Sequence, residues 1–181
     1  SRPTDVKDTV FRVEKHADTN VDDDRWLYLP ALDLVKRISA GDKRTSFVGS
    51  HFFYEDVSGR AVSQDDFSLA EENADRYVLK AVPKDPGSVE FTYYIVEIDK
   101  ATSLPVLINF YKSDDTNYRR VESVQVDEVQ GFPTVLRSKV SDLANGGYTL
   151  MEFRGSEYNV GLPDDVFTER SLRNPPVQGI K

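Results

Sequence analysis

The chain contains no cysteine, two histidines, one tryptophan and one methionine among 181 residues. Without cysteine there can be no disulfide, no thiolate nucleophile and no cysteine-built zinc site. The compartment stays open on that count, because cytosolic and bacterial periplasmic proteins alike do without cysteine. No apolar run approaches the ~20 residues that a membrane-spanning helix needs. An excess of positive charge is missing too: 23 Lys and Arg face 31 Asp and Glu, a balance of −8. Phosphate backbones are held by a positive field, and the basic residues here are scattered, so no nucleic acid is expected as a partner. The chain opens Ser1-Arg2-Pro3-Thr4 with no initiator Met, as a processed or excised product does, so a missing signal peptide is uninformative.

Motifs for chemistry are equally scarce. Gly49-Ser50-His51 and Gly155-Ser156-Glu157 lack the strand–turn–helix frame of a nucleophilic serine. The run from Asp18 to Asp24 starts like an EF-hand loop. Asp23 then stands where that loop needs Gly, and Leu29 where it needs Glu. His16 and His51 have no metal-ligand spacing. No metal, cofactor or catalytic residue is therefore expected, although paired carboxylates remain open to three-dimensional placement.

What is present is period-two alternation. Segments 9–15, 25–29, 34–38, 75–82, 89–98, 104–112, 118–126, 134–142 and 147–154 alternate or run apolar, parted by turn formers such as Pro86-Gly87 and Asn145-Gly146-Gly147. Strands at this spacing without intervening helices predict an antiparallel meander in one domain over residues 1–181, with 174–181 as a tail. Ser63 reads as the cap of a short helix starting at Gln64, and a second short helix is expected after Pro163. A two-residue turn at Lys100-Ala101 would set Phe91 opposite Phe110, Tyr93 opposite Ile108 and Ile95 opposite Val106, all on one apolar face. The other face is mixed, so packing on both sides and a pocket on one side both remain open. The aromatic, irregular stretch around Phe47, Phe52 and Phe53 must lie against the sheet, as a fixed plug or a movable lid.

The run Arg25-Trp26-Leu27-Tyr28-Leu29-Pro30-Ala31-Leu32, with Val35-Lys36-Arg37-Ile38 and Ser46-Phe47-Val48-Gly49-Ser50-His51-Phe52-Phe53-Tyr54-Glu55-Asp56, resembles the uncharacterised branch of the LolA-like outer-membrane lipoprotein-sorting family. Ile98 to Pro105 is similar to the family's central hairpin. Gly131-Phe132-Pro133-Thr134 and Asp165-Val166-Phe167-Thr168 are similar to its closing strands and final turn. The resemblance spans roughly Thr9 to Leu172, the C-terminal part of the family fold, without the strands and helix that precede it there.

It implies an incomplete, curved antiparallel β-barrel (LolA/LolB-like) with short helical or loop cover on its concave face. It also implies a periplasmic carrier, not an enzyme, that takes lipoprotein acyl chains or lipid into an apolar cavity. The ligand-binding wall is then expected from Phe91, Tyr93, Ile95, Val106, Ile108 and Phe110, and the cover from Phe47, Phe52 and Phe53. A non-catalytic adaptor domain beside a membrane lipid exporter is the alternative, and a membrane transporter is the implied partner. If the family's opening strands are absent, the strand at 9–15 forms an unguarded edge, and either a homodimer through it or disorder there is expected.

Overall fold

The computed structural model describes residues 6–18 and 21–175, so most of the acidic run at 18–24 is visible and the tail beyond Pro175 lies outside the described residues. Among the described residues ten strands form two antiparallel sheets, nine of them on the alternating segments. The small sheet has the order β1 (Val10–Glu14), β2 (Asp24–Leu29), β3 (Leu34–Ile38). The large sheet is a seven-stranded meander: β4 (Asp65–Glu72), β5 (Arg76–Pro83), β6 (Tyr93–Asp99), β7 (Pro105–Tyr111), β8 (Asn117–Val129), β9 (Phe132–Asp142) and β10 (Tyr148–Glu152). Strands β4 and β10 are its two edges, so the sheet stays open. Among the described residues the two α-helices are single-turn elements, α1 (Tyr54–Ser58) and α2 (Glu169–Arg173).

The large sheet is bent by extra residues in its ladder. Ala70, Val106, Tyr118, Val124 and Leu136 each have no partner of their own where the register shifts. Each such bulge bends its strand and increases local twist. Repeated along the meander, they give a concave and a convex face. The concave side carries the main core of Ala81, Phe91, Tyr94, Val96 and Phe110. A second core under the small sheet joins Leu27, Ile38 and Tyr54 to Phe11 and Phe47. Strand β1 is the edge of the small sheet, as expected, and α2 packs against it with Leu172 buried.

Two expectations are corrected here. Ser63 does not cap a helix: a 3-10 turn at Val62–Gln64 leads straight into β4. Asp65, which would fall in the first turn of that helix, is a buried acceptor for Arg60 and Tyr94. The second correction is the register of β6 and β7, where Phe110 faces Tyr94 and Ile108 faces Val96. The loop is longer than two residues: Asp99 N–H bonds Leu104 O, while the Asp99 carboxylate accepts from Thr102 N and Oγ1. Loop length alone would have kept the faces. The bulge at Val106 shifts the ladder by one more residue, and a one-residue slip exchanges the faces of a strand. The short helix expected after Pro163 is observed as a 3-10 turn over Asp164–Phe167 followed by α2.

Candidate functional site: an apolar cavity under an ion-paired cover

A cavity of about 690 Å³ opens on the concave face. Its sheet wall is built from Phe67 and Leu79 on the β4 side, Tyr94, Val96 and Ile98 from β6, Pro105, Ile108 and Phe110 from β7, and Val121 from β8. These positions share one face because each pairs with the next across the ladder: Leu79 with Val96, Val96 with Ile108, Ile108 with Val121. The opposite wall is the chain from Arg44 to Val62, which contributes Arg44, Glu55, Asp56, Gly59, Arg60, Ala61 and Val62.

That cover is held by charge. Helix α1 presents Glu55 and Asp56 from the Tyr54-Glu55-Asp56 end of the sequence motif. Glu55 accepts from Arg44 Nη1 at 3.0 Å and Arg60 Nη1 at 3.1 Å, with Lys43 Nζ at 3.9 Å. Asp56 takes both terminal nitrogens of Arg119 on β8, and its carboxylate also accepts the Phe53 N–H at the start of the helix. Arg44 forms a fork onto Glu90, at 3.0 Å and 2.6 Å. Arg60 does the same with Asp65, at 2.8 Å and 2.7 Å. Arg25 of β2 reaches Ser58, Asp22 and Asp23, which ties the small sheet to the same cover. Paired forks of this kind are what make buried charge tolerable.

The partners shift one another. Burial alone would raise the Glu90 carboxyl, but the hydrogen bonds and charge of Arg44, with the Tyr118 hydroxyl, outweigh it and bring the pKa down to about 2. Burial likewise disfavours the Arg44 cation, and Glu90 more than reverses that, so Arg44 is held charged. Tyr94 and Tyr118 are pushed up, first by burial and then by donating to Asp65 and Glu90 respectively. Both hydroxyls stay protonated at neutral pH as donors.

The expected wall residues divide. Ile108 and Phe110 line the cavity, and Phe91 is buried behind it against the rings of Tyr94 and Phe110. Tyr93 and Ile95 lie on the convex face, where Tyr93 stacks on Tyr111 and Ile95 pairs with Asn109. Val106 is the bulge residue and is absent from the lining. The missed wall residues are Tyr94, Val96 and Ile98, the other parity of the same strand, which a bulge signal alone could have revealed. Among the expected cover residues, Phe53 lies beneath the guanidiniums of Arg119 and Arg44, at 4.1 and 5.0 Å from its ring centre. Phe52 is buried, and Phe47 packs on Phe11 and Tyr54 under the small sheet, away from the cavity lining.

Ser50 and His51 serve the cover. The Ser50 hydroxyl accepts the Phe52 N–H, and His51 bonds Thr149 of β10 through its backbone N–H and ring Nδ1. Gly147 (φ +94°) lets the β9–β10 turn pass this ring; a Cβ there would meet His51 Nε2 at 3.2 Å. His16 bonds Asp24 at 2.9 Å. Among the described residues, no three His, Asp or Glu side chains gather as a metal-ligand set.

Fold and site together define an open antiparallel half-barrel whose concave side is an apolar cavity under a clamped cover. Comparison with solved structures gives the same fold. A DUF1329 family protein from Desulfovibrio piger is 30% identical, with a TM-score of 0.82 over 94% of this chain and 73% of its own. A domain from Vibrio parahaemolyticus, assigned as an outer membrane lipoprotein-sorting protein, is 28% identical, with a TM-score of 0.82 over 95% of this chain and 74% of its own. A LolA superfamily protein from Nitrosomonas europaea shares the fold at 22% identity and a TM-score of 0.51, over 81% of this chain and 67% of its own. The sequence profile of a family described as uncharacterized protein matches residues 1–174. No curated protein matches the sequence. The chain belongs to the family of that profile, shared with the Desulfovibrio DUF1329 protein, and has the fold of the LolA superfamily protein.

Proposed function

We propose that this protein is a non-catalytic periplasmic carrier that takes the apolar chains of a lipid or lipoprotein into the cavity between sheet and cover. The observation that carries the reading is the cavity itself, about 690 Å³ of space walled by Tyr94, Val96, Ile98, Ile108, Phe110 and Val121. Pockets of roughly 300–1,000 Å³ are the usual size for small-molecule ligands. Each methylene moved from water into such a wall contributes about 0.8 kcal/mol. The lipoprotein-sorting description of the Vibrio domain points the same way. Its cargo would come from, or pass to, a membrane transporter.

Native mass spectrometry of gently purified protein tests this directly. Bound lipid is expected, and Ile108→Asp should abolish it by placing an unpaired charge in the wall. Repeated absence of lipid from well-folded protein would favour the adaptor reading, in which the clamped cover is a permanent structural filling. Sedimentation at several concentrations tests whether β1, an edge strand, pairs two copies.

A further inference from the structure

Arg44 and Arg60 stand in the cavity lining with side chains only 7% and 13% exposed. A guanidinium offers five N–H donors and no acceptor. Arg44 places Nε and Nη2 on Glu90 and Nη1 on Glu55. Arg60 places Nε and Nη2 on Asp65 and Nη1 on Glu55. Each terminal nitrogen carries two hydrogens, so Arg44 and Arg60 each keep N–H groups with no acceptor among the described residues. These donors border a wall of aliphatic and aromatic carbon.

Aromatic rings stand against both guanidiniums. Arg44 lies 5.0, 5.0 and 4.9 Å from the ring centres of Phe53, Phe91 and Phe110, and Arg60 lies 5.5 Å from that of Phe91. A ligand engages the spare N–H groups through an acceptor atom. Charge then decides which acceptor. Glu55, Asp65 and Glu90 already surround these two cations, so an anionic head would enter a site whose positive charge is neutralised. A bare hydrocarbon end would displace water from the spare donors and leave them unpaired, which is costly in a dry site.

We propose that the ligand of this cavity carries a neutral oxygen acceptor, such as a ketone, ester or hydroxyl, on the segment that reaches Arg44 and Arg60. The inference rests on the carrier reading above and narrows its ligand class. It is tested on the wild-type protein by displacement of the fluorophore N-phenyl-1-naphthylamine with dodecane, 2-dodecanone and dodecanoate at pH 8. The ketone is expected to compete about tenfold better than the alkane and the carboxylate, the size of one hydrogen bond to a charged donor. Equal competition by ketone and alkane, or strongest competition by the carboxylate, overturns the inference and leaves the carrier reading standing. Failure of the fluorophore and every chain to bind overturns both. Arg60→Lys keeps the charge but removes the fork, and in protein that still melts cooperatively the ketone's advantage should shrink. An advantage untouched by that change would place the acceptor elsewhere and overturn the assignment to Arg60.

Discussion

The large sheet and the cover that lies on it are held by different forces. The sheet's concave side is stabilised by carbon: Ala81, Phe91, Tyr94, Val96 and Phe110 pack as one cluster, with Ile108 and Val121 against it. The cover, from Lys43 to Val62, has little regular structure; Glu55 ties it together internally, and its ionic hold on the sheet side runs from Arg44 to Glu90, Arg60 to Asp65 and Asp56 to Arg119. Apolar packing is non-directional and tolerates redistribution, whereas a buried ion pair loses most of its value when either partner goes. A cavity between two such walls has one surface that adapts and one that is fixed by geometry.

Breaking the cover's clamp should have the largest effect. Asp56→Ala leaves Arg119 buried with the His51 carbonyl but no carboxylate, and removes the acceptor of the Phe53 N–H. A loss of about 3–5 kcal/mol is expected. Thermal melting would read it as a fall of roughly 10 °C, and hydrogen exchange should rise first in residues 45–58. A destabilisation below ~1 kcal/mol would show that the pair is dispensable.

Truncating the sheet wall should cost less. Ile108→Ala borders existing space, so about 2 kcal/mol is expected, near the low end for such truncations. The cover should stay protected in exchange measurements, which separates the two walls.

The third effect is set by pH. The Glu90 pKa lies at about 2 against an ordinary value of 4.5. A lowered carboxyl contributes stability fully above its unfolded value, and that contribution disappears as pH falls through about 4.5 towards about 2. Glu90→Gln should flatten this acid limb and cost about 2 kcal/mol at neutral pH, allowing for partial exposure of the side chain. An unchanged acid limb in urea titrations from pH 5 to 2 would assign the limb to other carboxyls.

The smallest effect belongs to the convex face. Tyr93 is pushed up to about 12, first by burial and then by its hydrogen bond to Asp115. A raised phenol contributes below its unfolded value near 10 and loses that contribution as pH passes about 12. Asp115→Asn should bring the ultraviolet titration of Tyr93 back towards 10, with a stability change under ~1 kcal/mol.

Much of this was legible in the chain. Strands β1 to β3 and β5 to β10 follow from alternation and turn chemistry, because side-chain period is a local property. Strand β4 was hidden because Ser63-Gln64-Asp65-Asp66 has the chemistry of a helix start, and only Arg60 and Tyr94 reveal Asp65 as a strand residue turned inward. The wall of the cavity was half legible. Ile108 and Phe110 were identified on the correct face, while β6 was read on its opposite face because one unpaired residue, Val106, leaves no trace in composition. The clamp was illegible for a different reason. Arg44 meets Glu90, and Asp56 meets Arg119, across separations of 46 and 63 residues. Nothing in local sequence specifies such pairings, although the Glu55-Asp56 pair beside three aromatics marks where they converge.

Under the proposed carrier role, the open seam of the large sheet bears on how a chain would be loaded. Strands β4 and β10 are edges that do not pair with each other. A closed ring has to be threaded from an end, and a chain attached to something bulky can enter it only as far as that attachment allows. A sheet with a gap behaves topologically as a clip. A hydrocarbon tethered to a folded protein could slide in sideways along its length, and leave the same way, while its tether never passes through the molecule.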